Sequence, residues 1–287
     1  MKTTETNPEL TPADQEQIEE RGISQKQLED YHHILKKGFP FVKLFGNAEP
    51  GKEILLPSDE ERSGFRDRYK KSDSLDVLKF VPASGAASRM FRELYAFLKD
   101  GRKTENVSQF IEDLPEYAFF DELKERSGLN KESLSDETGQ RKIIEFLLSP
   151  EGMDYGNQPK GMIKFHRYSD GHTRTAFEEH FHEGVKYAKR NGKVRIHFTI
   201  PQENKEEVED HLSSLTNCLS EMYEVDYEIE TSVQKPSTNT PAIYTDEGTW
   251  VRTEDGSLLF RPAGHGALIE NLEIGRASCR ERVCHRV

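Results

Sequence analysis

The chain has 287 residues, which is enough for one large domain or two small ones. Its formal net charge of -12 excludes the basic footprint that a sequence-independent nucleic-acid binder needs. The hydrophobic fraction of 34% fits a soluble fold. Since no apolar run approaches transmembrane length and the N-terminus is polar, we expect a cytoplasmic protein without membrane association.

The first 76 residues carry helix signals. Thr11-Pro12 is typical of a helix start, and Ser24 is a candidate cap for a second helix that reaches Lys37. A third helix is predicted around Glu60 to Tyr69. We therefore predict a helical N-terminal elaboration over residues 1–76, packed beside the core.

Residues 77–90 form the most informative stretch of the sequence. An apolar β-type run from Val77 to Val81 ends at Pro82, a loop of small residues comes next, and a helical pattern starts at Met90. A strand, a small-residue loop and a helix can present backbone N–H groups to a phosphate, and Arg89 could fold over that phosphate. Neither standard glycine-rich phosphate motif occurs. A tight connection with an ordinary surface arginine fits the same residues.

The rest of the chain predicts an α/β core. Residues 100–157 have helical periodicity and form a predicted helical insert. Strands are predicted at Lys193–Ile200 and Val225–Val233, with an amphipathic helix between them, which favours a parallel sheet. Cys218 lies on that helix and is predicted to be a buried thiol. The three cysteines give no disulfide framework.

Four stretches then occur in an order that matches a known class. They are Pro82-Ala-Ser-Gly-Ala-Ala-Ser-Arg-Met90, Pro159-Lys-Gly-Met162, Gln234 with Pro241-Ala-Ile243, and Arg261-Pro-Ala-Gly-His-Gly-Ala-Leu268. This order resembles the UDP-sugar pyrophosphorylases, including the UDP-N-acetylhexosamine type, which are nucleotidyltransferases of GT-A fold. The likeness is greatest to an uncharacterised bacterial domain of unknown function built on that plan. It spans about residues 77–272. The first loop departs from the family pattern because Ser84-Gly85 replaces a doubled glycine.

The resemblance implies a Rossmann-like GT-A core and a set of site residues. Arg89 and Lys160 would be catalytic, by neutralising charge as a nucleoside triphosphate passes its nucleotidyl group to a small phosphorylated acceptor. Mg²⁺ would assist. Uridine nucleotides would be favoured, with Gln234 reading the base edge. The implied nucleotide-binding residues are Ala83, Ser84, Gly85, Ala86, Ala87, Ser88, Gln234, Gly264, His265 and Gly266.

Other interpretations of these residues stay open. Lys160 could be an ordinary solvated surface lysine. Gln234 could be a loop residue that makes a structural hydrogen bond, and His265 could simply occupy a turn between two glycines. A non-catalytic nucleotide or sugar-phosphate binding module of the same fold is the main alternative function, and a kinase-like phosphotransferase is a weaker one. The pair His180 and His182 would point its rings apart on a helix, so we do not predict a metal site there. Oligomeric state is not indicated.

The last residues break with the rest of the sequence. Residues 273–287 turn basic, carry Cys279 and Cys284, and resemble a translated sequencing adapter. We predict a non-native tail on a truncated chain. In the resembling enzymes a later strand carries the aspartate that holds Mg²⁺, so we expect this chain to be inactive.

Overall fold

The computed structural model divides the chain into two compact units. The helical unit comprises Met1–Leu75 and Lys235–Glu273, and the sheet unit comprises Asp76–Gln234 and Ile274–Val287. The backbone is described for residues 10–39, 41–72, 74–85, 87, 90–129, 131–276 and 283–285. Side chains are described for the same residues except 131, 265, 273–276 and 283–285.

Ten α-helices lie within these described residues, and their starts follow local capping chemistry. Thr11, Ser24 and Ser58 each accept a hydrogen bond from the backbone N–H three residues on, and each takes part in a capping box. The helices are α1 (Pro12–Glu20), α2 (Gln25–Lys37), α3 (Asp59–Lys70), α4 (Arg92–Asp100), α5 (Glu105–Asp113), α6 (Phe120–Ser127), α7 (Glu137–Leu148), α8 (Ala176–Tyr187), α9 (Lys205–Tyr223) and α10 (Ile269–Arg276).

Ten strands lie in the same described ranges, and most are short. They are β1 (Val77–Pro82), β2 (Lys164–Arg167), β3 (Thr173–Thr175), β4 (Lys193–Ile200), β5 (Asp226–Val233), β6 (Thr240–Pro241), β7 (Ile243–Tyr244), β8 (Thr249–Trp250), β9 (Phe260–Arg261) and β10 (Val283–His285). The pairs β2–β3, β6–β9 and β7–β8 are antiparallel.

The sheet unit is built on the parallel strands β1, β4 and β5, in that order. Leu78 pairs with Arg195 across the first pair, and Lys193 pairs with Asp226 across the second. The backbone of β10 runs parallel to β1 on its other side. Since parallel neighbours need crossover connections, the helical insert and α8 join β1 to β4, and α9 joins β4 to β5.

One face of this sheet is apolar because alternate strand residues point the same way. Helices α8 and α9 cover it, and Phe177 lies edge-on to Phe198 with ring centroids 5.2 Å apart. The buried members of this core are Val81, Phe177, Phe181, Val194, Ile196, Phe198, Ile200, Val208, Leu212, Leu219, Val225 and Tyr227.

The opposite face of the sheet is polar. Arg195 Nη1 donates to both carboxylate oxygens of Asp76 at 2.8 Å, and its Nε lies 2.9 Å from Glu228 Oε2. The buried His197 ring contacts the Ser232 hydroxyl at 2.8 Å, and burial lowers the His197 pKa. This alternation differs from the continuous apolar runs of strands buried on both faces.

A second core fills the predicted insert. Helices α4 to α7 enclose the fully buried Phe97, Val107, Leu123 and Ile143. Arg141 on α7 donates to the carbonyl oxygens of Phe97 and Leu98 near the end of α4, where the Phe97 carbonyl also accepts the Gly101 amide. Within the described part of residues 100–157, the regular elements are α5, α6, α7 and two short 3₁₀ turns.

The helical unit has its own small core of Ile18, Ile23, Leu28, Trp250 and Leu258. An ion pair ties its two chain segments together, because the Arg252 guanidinium donates to both oxygens of Asp14 at 2.7 and 2.8 Å. Asp14 is 2% exposed, and the hydrogen bond from Arg252 lowers its pKa to about 2. His32 Nε2 contacts the Gly248 carbonyl at 2.7 Å.

One sequence prediction is wrong. Cys218 is exposed, not buried. The buried positions of α9 are Val208, Leu212 and Leu219, and consecutive helix residues project about 100° apart, so Cys218 lies off the buried stripe. Among the described helices, none combines the length and apolar character needed to span a bilayer.

Candidate functional site at the carboxyl edge of the sheet

The loop after β1 lies at the carboxyl ends of the parallel strands. The Ala83 amide donates to the carbonyl of Thr199, near the end of β4, at 2.8 Å. Ser84 and Ala83 are half-buried, whereas Gly85 is exposed. Ligands of open α/β sheets bind outside the carboxyl ends of the strands, so this loop occupies the position where a ligand is expected.

The Pro159-Lys-Gly-Met162 stretch meets this loop. Lys160 to Met162 forms one turn of 3₁₀ helix before β2. The Lys160 amide donates to the Gly85 carbonyl at 3.1 Å, and the Ala87 amide donates to the Gln158 carbonyl at 3.4 Å. The Lys160 side chain is exposed, and the part of the chain that the structure describes gives its ammonium group no ion-pair partner. An exposed lysine side chain therefore extends from a residue whose backbone contacts the small-residue loop.

Gln234 joins the same edge. It follows the last residue of β5, and its Oε1 accepts a hydrogen bond from the Ser84 hydroxyl at 3.3 Å. Gln234 thus anchors the loop, and this contact uses one of the groups that would read a base.

A buried hydroxyl lies nearby without a partner. Thr199 is fully buried, and within the described ranges its Oγ1 has no hydrogen-bond partner. An unsatisfied buried hydroxyl is costly unless water or a ligand group reaches it. Thr199 also holds Ala83 through its carbonyl, so the unsatisfied atom belongs to a residue that contacts the loop.

Two glycines of the motifs have different physical roles. A Cβ at Gly161 would lie 2.3 Å from Phe177 Cε2, so this glycine is required by packing of the 3₁₀ turn on α8. A Cβ at Gly85 would meet no atom of the described residues within 4 Å, and the Gly85 φ is outside the left-handed region. The fold therefore demands glycine at 161 but leaves open space above residue 85, where a ligand could approach the backbone.

The remaining predicted site residues lie outside the described residues or belong to the helical unit. Ala86, Ser88 and Arg89 lie outside the described residues. Gly264, His265 and Gly266 belong to the helical unit, where the Ala267 amide donates to the Gly264 carbonyl at 3.0 Å at the start of a 3₁₀ turn. The loop after β1 and the Gly264–Gly266 stretch therefore belong to different units.

The histidines of α8 have separate surroundings. His182 Nδ1 contacts the Tyr223 hydroxyl at 2.5 Å, while the backbone carbonyl of His180 accepts from Lys79 Nζ at 3.1 Å. Burial lowers the pKa of both rings. Lys79 is itself buried within β1 and pairs with Glu183 at 2.6 Å.

The described side chains at this edge lack the carboxylates that Mg²⁺ prefers. No group of three or more His, Cys, Asp or Glu side chains in the described ranges could hold a metal ion. The side-chain oxygens that the loop and the two strand ends contribute come from Ser84, Thr199 and Gln234, all neutral, whereas Mg²⁺ is usually bound through carboxylates and phosphates. This donor set does not fit Mg²⁺.

Sequence reasoning missed an aromatic cavity in the sheet unit. A cavity of about 430 Å³ lies between the start of α4, α5 and β2, with rings of Phe91, Phe110, Tyr117, Phe119 and Phe165 in its wall. These residues are spread over 75 positions and read separately as core or surface residues, so no local sequence signal could have joined them.

The fold is a mixed α/β fold with a three-stranded parallel sheet, helices on its apolar face and a loop site at its carboxyl edge. The chain belongs to the DUF4301 family, a domain of unknown function, whose profile matches residues 11–278. Neither the curated proteins nor the solved structures gave a match.

Proposed function

We propose that the carboxyl edge of the sheet binds the phosphates of a nucleoside triphosphate, UTP being favoured, and that the protein transfers the nucleotidyl group to a sugar phosphate or related acceptor. A Rossmann-like GT-A core is part of this proposal. The observation that carries it is the meeting of three separate stretches at this edge, through the Lys160–Gly85, Ala83–Thr199 and Ser84–Gln234 hydrogen bonds.

The residues present suit this chemistry. An oxygen of the acceptor phosphate attacks the α-phosphorus of the triphosphate, the bond from that phosphorus to the bridging oxygen breaks, and pyrophosphate leaves with the electron pair. Such a reaction needs positioning and charge neutralisation more than covalent help from the protein. The exposed Lys160 ammonium supplies positive charge beside the loop, and the open space at Gly85 admits a phosphate to the backbone. By resemblance, Arg89 would supply a second positive charge.

A non-catalytic binding module is the second candidate. The observation in its favour is that Ser84 and Gln234 are hydrogen-bonded to each other, in a loop that lacks the doubled glycine of the resembling enzymes. A loop closed in this way could hold a phosphorylated ligand without turning it over.

Pyrophosphate release separates the two candidates. The full chain is incubated with each nucleoside triphosphate and a panel of sugar phosphates, and Lys160→Ala is compared with Lys99→Ala, an exposed lysine at the end of α4. Release that Lys160→Ala abolishes and Lys99→Ala leaves unchanged supports transfer, and it overturns the expectation that this chain is inactive. Triphosphate binding that depends on Lys160, without release for any acceptor, agrees with the binding module and with the expected inactivity of this chain. Absence of both contradicts the whole proposal.

A further inference from the structure

The aromatic cavity adjoins the loop site along the chain. The Met90 amide donates to the carbonyl of Ala87 at 2.8 Å, and Met90 lines the cavity. On its other side, Phe165 on β2 comes five residues after Lys160. The two chain segments that hold the loop therefore both continue into the cavity wall.

The wall of the cavity contains three neighbouring aromatic rings, of which one pair is tilted and one pair is stacked. Phe110 and Tyr117 have centroids 5.3 Å apart with planes inclined by 30°, and Tyr117 and Phe119 lie 5.4 Å apart and stack at 23°. Stacked or offset rings at this spacing attract one another beyond their buried area. A wall of this kind favours a planar ring over a branched aliphatic group.

The floor and the mouth differ in polarity. The lining residues Phe91, Leu94 and Val107 are buried and form the floor of the cavity. The side chains of Asn106 and Gln109 are exposed and lie at its mouth. Glu93 is held there by hydrogen bonds from Thr104 and Asn106, which lower its pKa. Arg92, which is exposed, also lines the cavity. An apolar floor with a few polar groups at the rim is typical of a site for a small ring compound, and about 430 Å³ lies within the usual range for such sites.

We propose that this cavity binds the nucleobase of the nucleotide whose phosphates lie on the loop, which rests on the proposed function. Stacking on aromatic side chains suits every base, because every base has a π-face. This assignment gives the base to a cavity adjoining the loop and leaves Gln234 as the residue that anchors Ser84.

Neutral nucleosides test the cavity separately from the phosphate loop. Uridine and adenosine are titrated into the full chain by calorimetry and by saturation-transfer NMR. N-acetylglucosamine is titrated separately as the alternative ligand, because its ring is a sugar and not an aromatic base. Phe165→Ala should weaken nucleoside binding by about five- to 150-fold, the range expected for loss of one stacking partner. Phe65→Ala is the matched control, because Phe65 on α3 is 54% exposed and Phe165 is 44% exposed.

A second variant guards against a folding artefact. Phe165→Trp keeps an aromatic surface, so nucleoside binding should persist and should change the fluorescence of the new tryptophan. Nucleoside binding that is lost in Phe165→Ala and kept in Phe165→Trp, Phe65→Ala and Lys160→Ala supports the proposal. Undetectable binding of both nucleosides at millimolar concentration, binding indifferent to Phe165→Ala, or binding of N-acetylglucosamine alone overturns it.

The two proposals can fail separately. If nucleosides bind through Phe165 while inorganic triphosphate binds with equal affinity to wild type and Lys160→Ala, the base site stands and the phosphate loop assignment falls. If triphosphate depends on Lys160 but neither nucleoside binds, the base site alone is wrong.

Discussion

Replacing Gly161 by alanine perturbs the contact between the Lys160 turn and the sheet core. The new Cβ would lie 2.3 Å from Cε2 and 2.4 Å from Cζ of Phe177, whereas carbon atoms in good contact lie about 3.5–4.0 Å apart. One of the two groups must therefore move by more than about 1 Å. Phe177 is fully buried and packs edge-on against Phe198, so its ring has no free space to enter.

The expected cost follows from this geometry. Overpacking a dense core costs about 1–3 kcal/mol, and we expect the upper half of that range because the clash involves a fully buried ring. Urea unfolding followed by far-UV circular dichroism measures the change in the free energy of unfolding.

Gly85→Ala is the matched control for this experiment. Its Cβ would meet none of the atoms in the described part of the chain within 4 Å and its backbone is outside the left-handed region, so stability should stay unchanged or rise slightly. If the ligand approaches the backbone at this point, triphosphate affinity should fall in Gly85→Ala. Equal stability of Gly161→Ala and Gly85→Ala would refute the packing argument.

Two charged groups give further predictions. Asp14→Asn should cost about 2 kcal/mol at neutral pH, because the hydrogen bond from Arg252 lowers the Asp14 pKa from 3.8 to about 2. This stabilisation is present above about pH 4 and is lost as the pH falls through about 2, so the gap to wild type in urea unfolding should close on acidification; a gap independent of pH contradicts it. Lys79→Met should change stability by less than about 1 kcal/mol, because burial already disfavours the charged lysine, lowering its pKa, and Glu183 is 44% exposed to water. A loss above about 3 kcal/mol in thermal or urea unfolding would mean that the ion pair is needed.

The regular elements could be predicted because their signals are local. Thr11 and Ser24 start helices through hydrogen bonds within three residues, and the strand predicted at Lys193–Ile200 is confirmed by β4 with the same bounds. Polar and apolar residues alternate along that strand, which predicts that one face of the sheet is polar. Arg195 and His197 lie on that face.

The parts that depend on distant contacts could not be predicted. In the sequence, Gly161 is part of the motif that indicates a nucleotide site. In the structure, position 161 requires glycine because a side chain there would clash with Phe177, sixteen positions away. The aromatic cavity depends on packing of α4, α5 and β2, which no periodicity encodes. The assignment of Gly264–Gly266 to the helical unit depends in the same way on contacts across the whole chain.

We propose that the loop after β1 and Lys160 bind the phosphates of a nucleoside triphosphate. The most direct test is calorimetric titration of UTP into the full chain, with Lys160→Ala and Lys99→Ala measured alongside. Loss of one charge-assisted contact costs about 1.5–3 kcal/mol. We therefore expect the affinity for UTP to be about ten- to 150-fold weaker in Lys160→Ala and unchanged in Lys99→Ala. Equal affinity of wild type and both variants for UTP, or no binding by wild type, would contradict it.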